Sequence, residues 1–264
     1  MSIEKYDLIG KTYNKTRQAD KRIVDIIVDK LQLSSEDTIL DIGAGTGNYT
    51  AELSKKGFNL IAVEPSEVMR AQGRKDLNIK WLSGVSESLP LEDSSVNGVI
   101  CVLAVHHFSD LEKSFNEMVR VLKSKGSIVI LAADPRLCLK DCWLTDYFTE
   151  IMKRGYEAYQ PINDVKVLLE KATDNGVELV DFLIPEDIAD RFFFSGWKYP
   201  EMYLDPLFCA GVSPLANAPK EYLDSCLERL RNDLDSGLWQ EKYGHILKLS
   251  EYEGGYRFLI GRKK

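Results

Sequence analysis

Asp41-Ile-Gly43-Ala-Gly45-Thr-Gly47-Asn-Tyr-Thr50 carries three glycines at alternate positions, directly after the apolar run TILDI of Thr38 to Ile42. Glycine accepts positive φ and lets a backbone approach a neighbour that a Cβ would hold off. Three such positions in five residues, opened by an acidic side chain, predict a strand-to-helix turn that holds something close. The flanking segments say in what fold.

From Thr38 to Ala133 short apolar runs alternate with amphipathic ones. TILDI leads to AELSKKG, a helical pattern ending at Gly57; NLIAVE leads to SEVMRAQGRKD. IKWLSG and the loop SESLPLEDSSV precede NGVICVLAV, the helical LEKSFNEMVRVLKSKG and the strand-like SIVILAA. Strands alternating with helices through short connections predict parallel βαβ units covered on both faces. The later runs VELVDFLI and YRFLIGRK add two strands. The expected fold is α/β, a Rossmann-like, doubly wound, mostly parallel seven-stranded sheet with a helical, aromatic-rich cap.

Apolar spacing from Ile23 to Leu31 predicts a helix with Asp20 as its N-cap. Leu137 to Tyr159 reads as an aromatic-rich helix, Asn163 to Asn175 as a helix stopped by Gly176, and EYLDSCLERLRNDLDSG as one ended by Gly237. The expected organisation is one domain over 1–264, with a helical cap element at 1–34, a core at 35–134, cap elements at 135–240 and a strand region at 241–264. The cap aromatics, Trp143, Tyr147, Phe148, Tyr156, Phe192, Phe193, Phe194, Trp197, Tyr199 and Tyr203, suit either an apolar substrate chamber or the cap's own core, and core burial is the stronger expectation for most.

The 34 Lys and Arg against 41 Asp and Glu leave a net charge of −7, without the basic excess that a phosphate backbone attracts. The expected partner is a small molecule and not nucleic acid. Met1 to Lys30 has no apolar leader pattern, and no run approaches the roughly 20 apolar residues of a membrane span, so a cytoplasmic protein is expected. Five cysteines, with Cys138 and Cys142 four apart, match neither a disulfide framework nor a structural zinc pattern, and no metal is expected.

A nicotinamide dinucleotide, a nucleotide phosphate and S-adenosylmethionine each explain a glycine-rich turn after a strand. The dinucleotide fingerprint GxGxxG needs glycine where Asn48 stands, because the third glycine comes one residue early. Asp41 would repel a pyrophosphate and accept hydrogen bonds from an ammonium, which favours a cationic or zwitterionic ligand. Glu64, 21 residues after Gly43, suits the two hydroxyls of a ribose in either a dinucleotide or S-adenosylmethionine. Pro65 and Met69 follow it as candidate walls for an adenine.

The motif series DIGAGTG, Val63-Glu-Pro-Ser66, Gly84-Val-Ser-Glu-Ser-Leu-Pro90 and Val105-His-His-Phe108 resembles that of class I S-adenosylmethionine-dependent methyltransferases, in the methyltransferase type 11 branch related to ubiquinone and menaquinone biosynthesis enzymes. The resemblance covers about Tyr6 to Ala133. It implies S-adenosylmethionine as cofactor, with Asp41, Gly43, Gly45 and Gly47 around its methionine part and Glu64 on its ribose. It further implies Pro65, Ser66 and Met69 beside the adenosine, Val85 and Ser86 edging the adenine, and Leu103 in the cofactor-binding set. Many relatives carry Asp where Val85 stands, so here that contact comes from backbone atoms or is absent. YDLIGKTYNKTR resembles the family's YDxxAxxYDxxR element, which places Tyr13 and Arg17 near the cofactor's carboxylate.

Methyl transfer from a sulfonium is an in-line displacement that needs an aligned nucleophile and, for some acceptors, a base. His106 and His107 follow the fourth strand, and an ordinary imidazole near 6.5 can serve as that base. Adjacent side chains at a strand end diverge, so one imidazole is expected to face the acceptor, with His106 preferred and His107 structural. The chain has LAVHH where base and amide N-methyltransferases carry an Asn/Asp-Pro-Pro-aromatic motif. The expected acceptor is a small, apolar or aromatic molecule methylated at O, N or C by a monomer or homodimer. The alternatives are a non-catalytic protein that binds S-adenosylmethionine or S-adenosylhomocysteine, and an NAD(P)-dependent oxidoreductase.

Overall fold

The computed structural model describes residues 17–74, 77–139 and 141–264; Tyr13 lies outside them. Helix α1 (Lys21–Leu31) starts at Asp20, whose carboxylate accepts from Arg22 N at 2.9 Å. Its apolar face, Ile23, Val24, Ile27 and Leu31, is buried. Then follow β1 (Thr38–Ile42), α2 (Asn48–Lys55), β2 (Asn59–Val63), α3 (Glu67–Ala71), β3 (Ile79–Leu82), β4 (Val96–Val102), α4 (Leu111–Val121) and β5 (Leu122–Ala133). Two short helices, α5 (Trp143–Tyr147) and α6 (Thr149–Ala158), precede α7 (Ile162–Thr173) and β6 (Glu178–Pro185). Four more, α8 (Pro206–Gly211), α9 (Ser213–Ala216), α10 (Lys220–Asp235) and α11 (Leu238–Tyr243), lead to β7 (Glu251–Arg262).

The strands form one seven-stranded sheet in the order β3-β2-β1-β4-β5-β7-β6. β1 to β5 pair in parallel, and β7 runs antiparallel between β5 and β6. The chain winds outward to β3 on one side of β1 and to β5 on the other, so the switch point lies between β1 and β4. In an open α/β sheet the crevice outside the strands' carboxyl ends at that point receives the ligand.

The expected elements end differently in four places. α4 stops at Val121 because buried Leu122 turns extended and pairs with Val96, which makes LKSKG the start of β5 rather than the end of a helix. α3 is only five residues long. The stretch from Leu137 to Tyr159 is broken at Phe148, whose φ of −117° and ψ of 44° leave the helix while its ring buries against Phe193 and Tyr203. α7 is closed by Asp174 in the left-handed region, ahead of Gly176.

One continuous apolar core joins the sheet to the cap: Ile39, Ile100, Val129 and Leu131 share it with Trp143, Phe148, Trp197, Tyr203 and Trp239. Trp143 stands edge-on to Tyr203 and Trp239, and Trp197 stacks on Tyr252 with centroids 5.1 Å apart. These aromatics are core. Tyr199 is exposed. Among the described residues no helix is long and apolar enough to cross a membrane.

Candidate active site

A cavity of about 230 Å³ opens at the switch point, lined by the loops that leave β1, β2, β3 and β4. The loop after β1 is pinned to the next strand, Gly43 N and Ala44 N donating to Val63 O at 2.9 and 3.3 Å. Gly43 has φ +69° and a Cβ there would lie 2.6 Å from Ala104 Cβ, so the loop fits only without a side chain. Gly45 has φ +58° and open space on its Cβ side, where it borders the cavity. Gly47 starts α2 against the Trp81 ring and lies off the cavity wall.

Glu64 ties two loops together, its carboxylate accepting from Gly45 N at 3.0 Å and Ser66 N at 2.9 Å. It lines the cavity with Pro65, Ser66, Met69, Val85, Ser86 and Leu103. A carboxylate on the cavity wall is the acceptor type that the paired hydroxyls of a ribose need. Asp41 is not on the wall. It is buried beneath the loop, accepts from Thr50 Oγ1 at 2.5 Å, and is pushed up to about 7 by desolvation, with the Glu64 charge adding to the rise. Its effect on a ligand passes through the loop.

His106 and His107 lie on a 3-10 turn, Val105–His107, and not on the strand end. Their rings therefore do not diverge: the centroids are 3.8 Å apart. His107 borders the large cavity, and both rings border a second, smaller cavity of about 70 Å³. His106 is stacked on Tyr159 at 4.3 Å. Desolvation holds His106 well below the ordinary imidazole value and lowers His107 to about 4. Both are neutral at pH 7, so the ordinary base expected near 6.5 is replaced by two neutral hydrogen-bonding rings.

The second cavity continues through Tyr159, Phe192, Phe193 and Tyr256 and shares Arg17, Leu103 and His107 with the first. Arg17 reaches the junction, but its guanidinium is held by Asp190, Nε contacting one carboxylate oxygen and Nη2 the other at 3.0 Å. Tyr49 adds a third bond to Asp190 at 2.9 Å, and Asn48 Nδ2 donates to Arg17 O. Thr46 Oγ1, buried at the edge of the large cavity, has no hydrogen-bond partner among the described residues.

Thr46, Asn48, Tyr49 and Asp190 were absent from the sequence expectation. The first three follow Gly45 in the chain and were within reach of the glycine signal. Asp190, in EDIADRFFF, carries no local signal, because only the packing of the cap brings it to α2.

The methyltransferase-domain family matches residues 40–130. The structure superposes on that of a protein from Anabaena variabilis assigned as an antibiotic-biosynthesis methyltransferase, with a TM-score of 0.90 and 43% identity over 93% of this chain and 98% of that one. The chain therefore belongs to the S-adenosylmethionine-dependent methyltransferases. The uncharacterized methyltransferase YcgJ of Bacillus subtilis is 31% identical over 119 residues, 43% of this chain and 47% of the relative. The uncharacterized methyltransferase Mb3374 of Mycobacterium bovis is 30% identical over 169 residues, 62% of this chain and 66% of the relative. The chain thus spans about half to two thirds of the length of these curated relatives. S-adenosylmethionine is the cofactor of the family, and the wall fits it: a carboxylate for the ribose, open space at Gly45 and the orphaned Thr46 hydroxyl.

Proposed function

We propose that the protein transfers the methyl group of S-adenosylmethionine to a small, apolar or aromatic acceptor seated in the second cavity. The observation that carries this reading is the junction of the two cavities at Leu103 and His107, on the carboxyl side of β4. When bound, the cofactor supplies an electrophilic methyl group on a sulfonium.

The chain's own residues divide the remaining work. Glu64 accepts from the ribose hydroxyls, and Pro65 and Met69 flank the adenosine. Arg17, already at the junction and held there by Asp190, brings its positive charge to the side where the amino-acid carboxylate would lie. Phe192, Phe193 and Tyr256 exclude water from the acceptor side. The neutral rings of His106 and His107 accept a hydrogen bond from an acceptor hydroxyl or amine and aim its lone pair at the junction. With His107 lowered to about 4, they orient the nucleophile better than they retain its proton. That same weakness as bases favours the second reading, a protein that binds the cofactor without turnover.

Calorimetric titration with S-adenosylmethionine, S-adenosylhomocysteine and NADH tests the reading. Micromolar binding of the two sulfur ligands, weakened by Glu64→Ala, supports it. Preference for NADH, or binding of none, overturns it. Formation of S-adenosylhomocysteine across a panel of hydroxylated and aminated aromatics separates enzyme from binder.

A further inference from the structure

Three residues, Arg17, His107 and Leu103, line both cavities, and each is held in a different way. Arg17 is clamped by both carboxylate oxygens of Asp190, which is itself 1% exposed. His107 lies on a one-turn helix against the His106 ring, which in turn lies on Tyr159. Leu103 is the third.

Leu103 is a non-glycine residue in the left-handed region, at φ 53°. An L side chain adopts that conformation only where its surroundings impose it, and such residues cluster at functional sites. Here the imposition is visible. Leu103 N donates to Leu131 O at 2.8 Å on one side, and the next residue, Ala104, fills the space facing Gly43 on the other. The backbone is fixed between β5 and the glycine loop, and Leu103, half-buried against the apolar core, borders both cavities there.

From this geometry, and resting on the methyl-transfer reading above, we propose that Leu103 is the specificity-determining residue that limits the group on the sulfonium to methyl. On that reading the transferred carbon passes from the first cavity to the second, and of the three residues that line both, Leu103 is the apolar one. A sulfonium carrying one more carbon would need added room beside Leu103, whose backbone is fixed on both sides. One methylene in a tight apolar site is worth roughly 10- to 200-fold in discrimination.

The test compares calorimetric affinities for S-adenosylmethionine and its S-ethyl analogue, S-adenosylethionine, in wild type, Leu103→Ala and Leu103→Met. Alanine pays the same left-handed penalty as leucine, so Leu103→Ala removes bulk without changing the backbone preference. The expected wild-type preference for the methyl sulfonium is at least about 10-fold, falling to within about 3-fold in Leu103→Ala and restored in Leu103→Met. Leu103→Gly, whose backbone accepts φ 53° freely, is the second variant and is expected to lose the preference as alanine does, so the result does not depend on the folding of one protein. Equal preference in wild type and the truncated variants, with S-adenosylhomocysteine still bound by wild type, overturns this inference and leaves the methyl-transfer reading standing. Absence of S-adenosylhomocysteine binding to wild type removes that reading and the inference with it.

Discussion

The hydroxyl of Tyr49 donates to Asp190 at 2.9 Å across 141 positions of sequence. Tyr49 is on the first turn of the helix that follows the glycine loop, and Asp190 precedes the aromatic run of the cap. The same carboxylate holds Arg17, so three distant segments close around one buried charge at the junction of the cavities.

Removing that charge should loosen all three. Asp190→Ala deprives three donors of their acceptor and is expected to cost about 3 kcal/mol, whereas Tyr49→Phe, which removes one bond and leaves the ion pair, should cost about 1 kcal/mol. Urea unfolding measures both. Equal losses would mean that Arg17 gains nothing from Asp190.

The glycine loop separates stability from binding. Gly43→Ala brings a Cβ to 2.6 Å from Ala104 at positive φ, and is expected to destabilise by about 3 kcal/mol through overpacking and backbone strain together. Gly45→Ala meets no neighbour in the protein and should cost only about 1 kcal/mol for its left-handed backbone. Its methyl group faces the cavity, so its affinity for S-adenosylhomocysteine should fall about tenfold or more, a loss near 1.4 kcal/mol. Thermal unfolding and calorimetry on the same two proteins decide the matter; a Gly45→Ala variant that binds like wild type would place the cofactor elsewhere.

Asp41 should make stability depend on pH with a definite sign. Desolvation raises it from 3.8 to about 7 in the folded protein, so the native state binds a proton that the unfolded chain releases. The contribution is fully present below 3.8 and is lost as pH rises to about 7. Asp41→Asn, which keeps an oxygen for the Thr50 hydroxyl, should therefore gain on wild type between pH 5 and pH 8. A gain that does not grow with pH would show that the carboxyl is ionised throughout.

The two imidazoles carry the opposite sign. His107, lowered to about 4 by desolvation, and His106, lowered by its own desolvation, favour the neutral form in the folded protein. Their contribution is complete above the ordinary value of 6.5 and is lost as pH falls from 6.5 toward 4. Ring-proton NMR should show no titration of either residue between pH 8 and 5.5. An inflection near 6.5 for one of them would return it to the role of an ordinary general base.

What the sequence determined by itself was local or periodic. The alternation from Thr38 to Ala133 dictated parallel βαβ units, because a strand buried on both faces must be apolar throughout and the helices covering it must be amphipathic. DIGAGTG marked the turn at the switch point, since positive φ and a missing Cβ are properties of the residue type, and Glu64 followed at the distance one βαβ step sets. Asp20 capped its helix for an equally local reason.

Tertiary structure decided what depends on partners distant in sequence. Asp41 looked like a ligand-facing carboxylate but lies beneath the loop, because Thr50, on the helix that follows, turns back to cover it. The pair His106 and His107 was legible, yet their neutrality and shared orientation come from a 3-10 turn packed against Tyr159 and the cap. Asp190 and the joining of two cavities at Leu103 had no signal in composition or spacing. They arise where β4, β5 and the aromatic cap meet, and a chain read one segment at a time contains no such meeting.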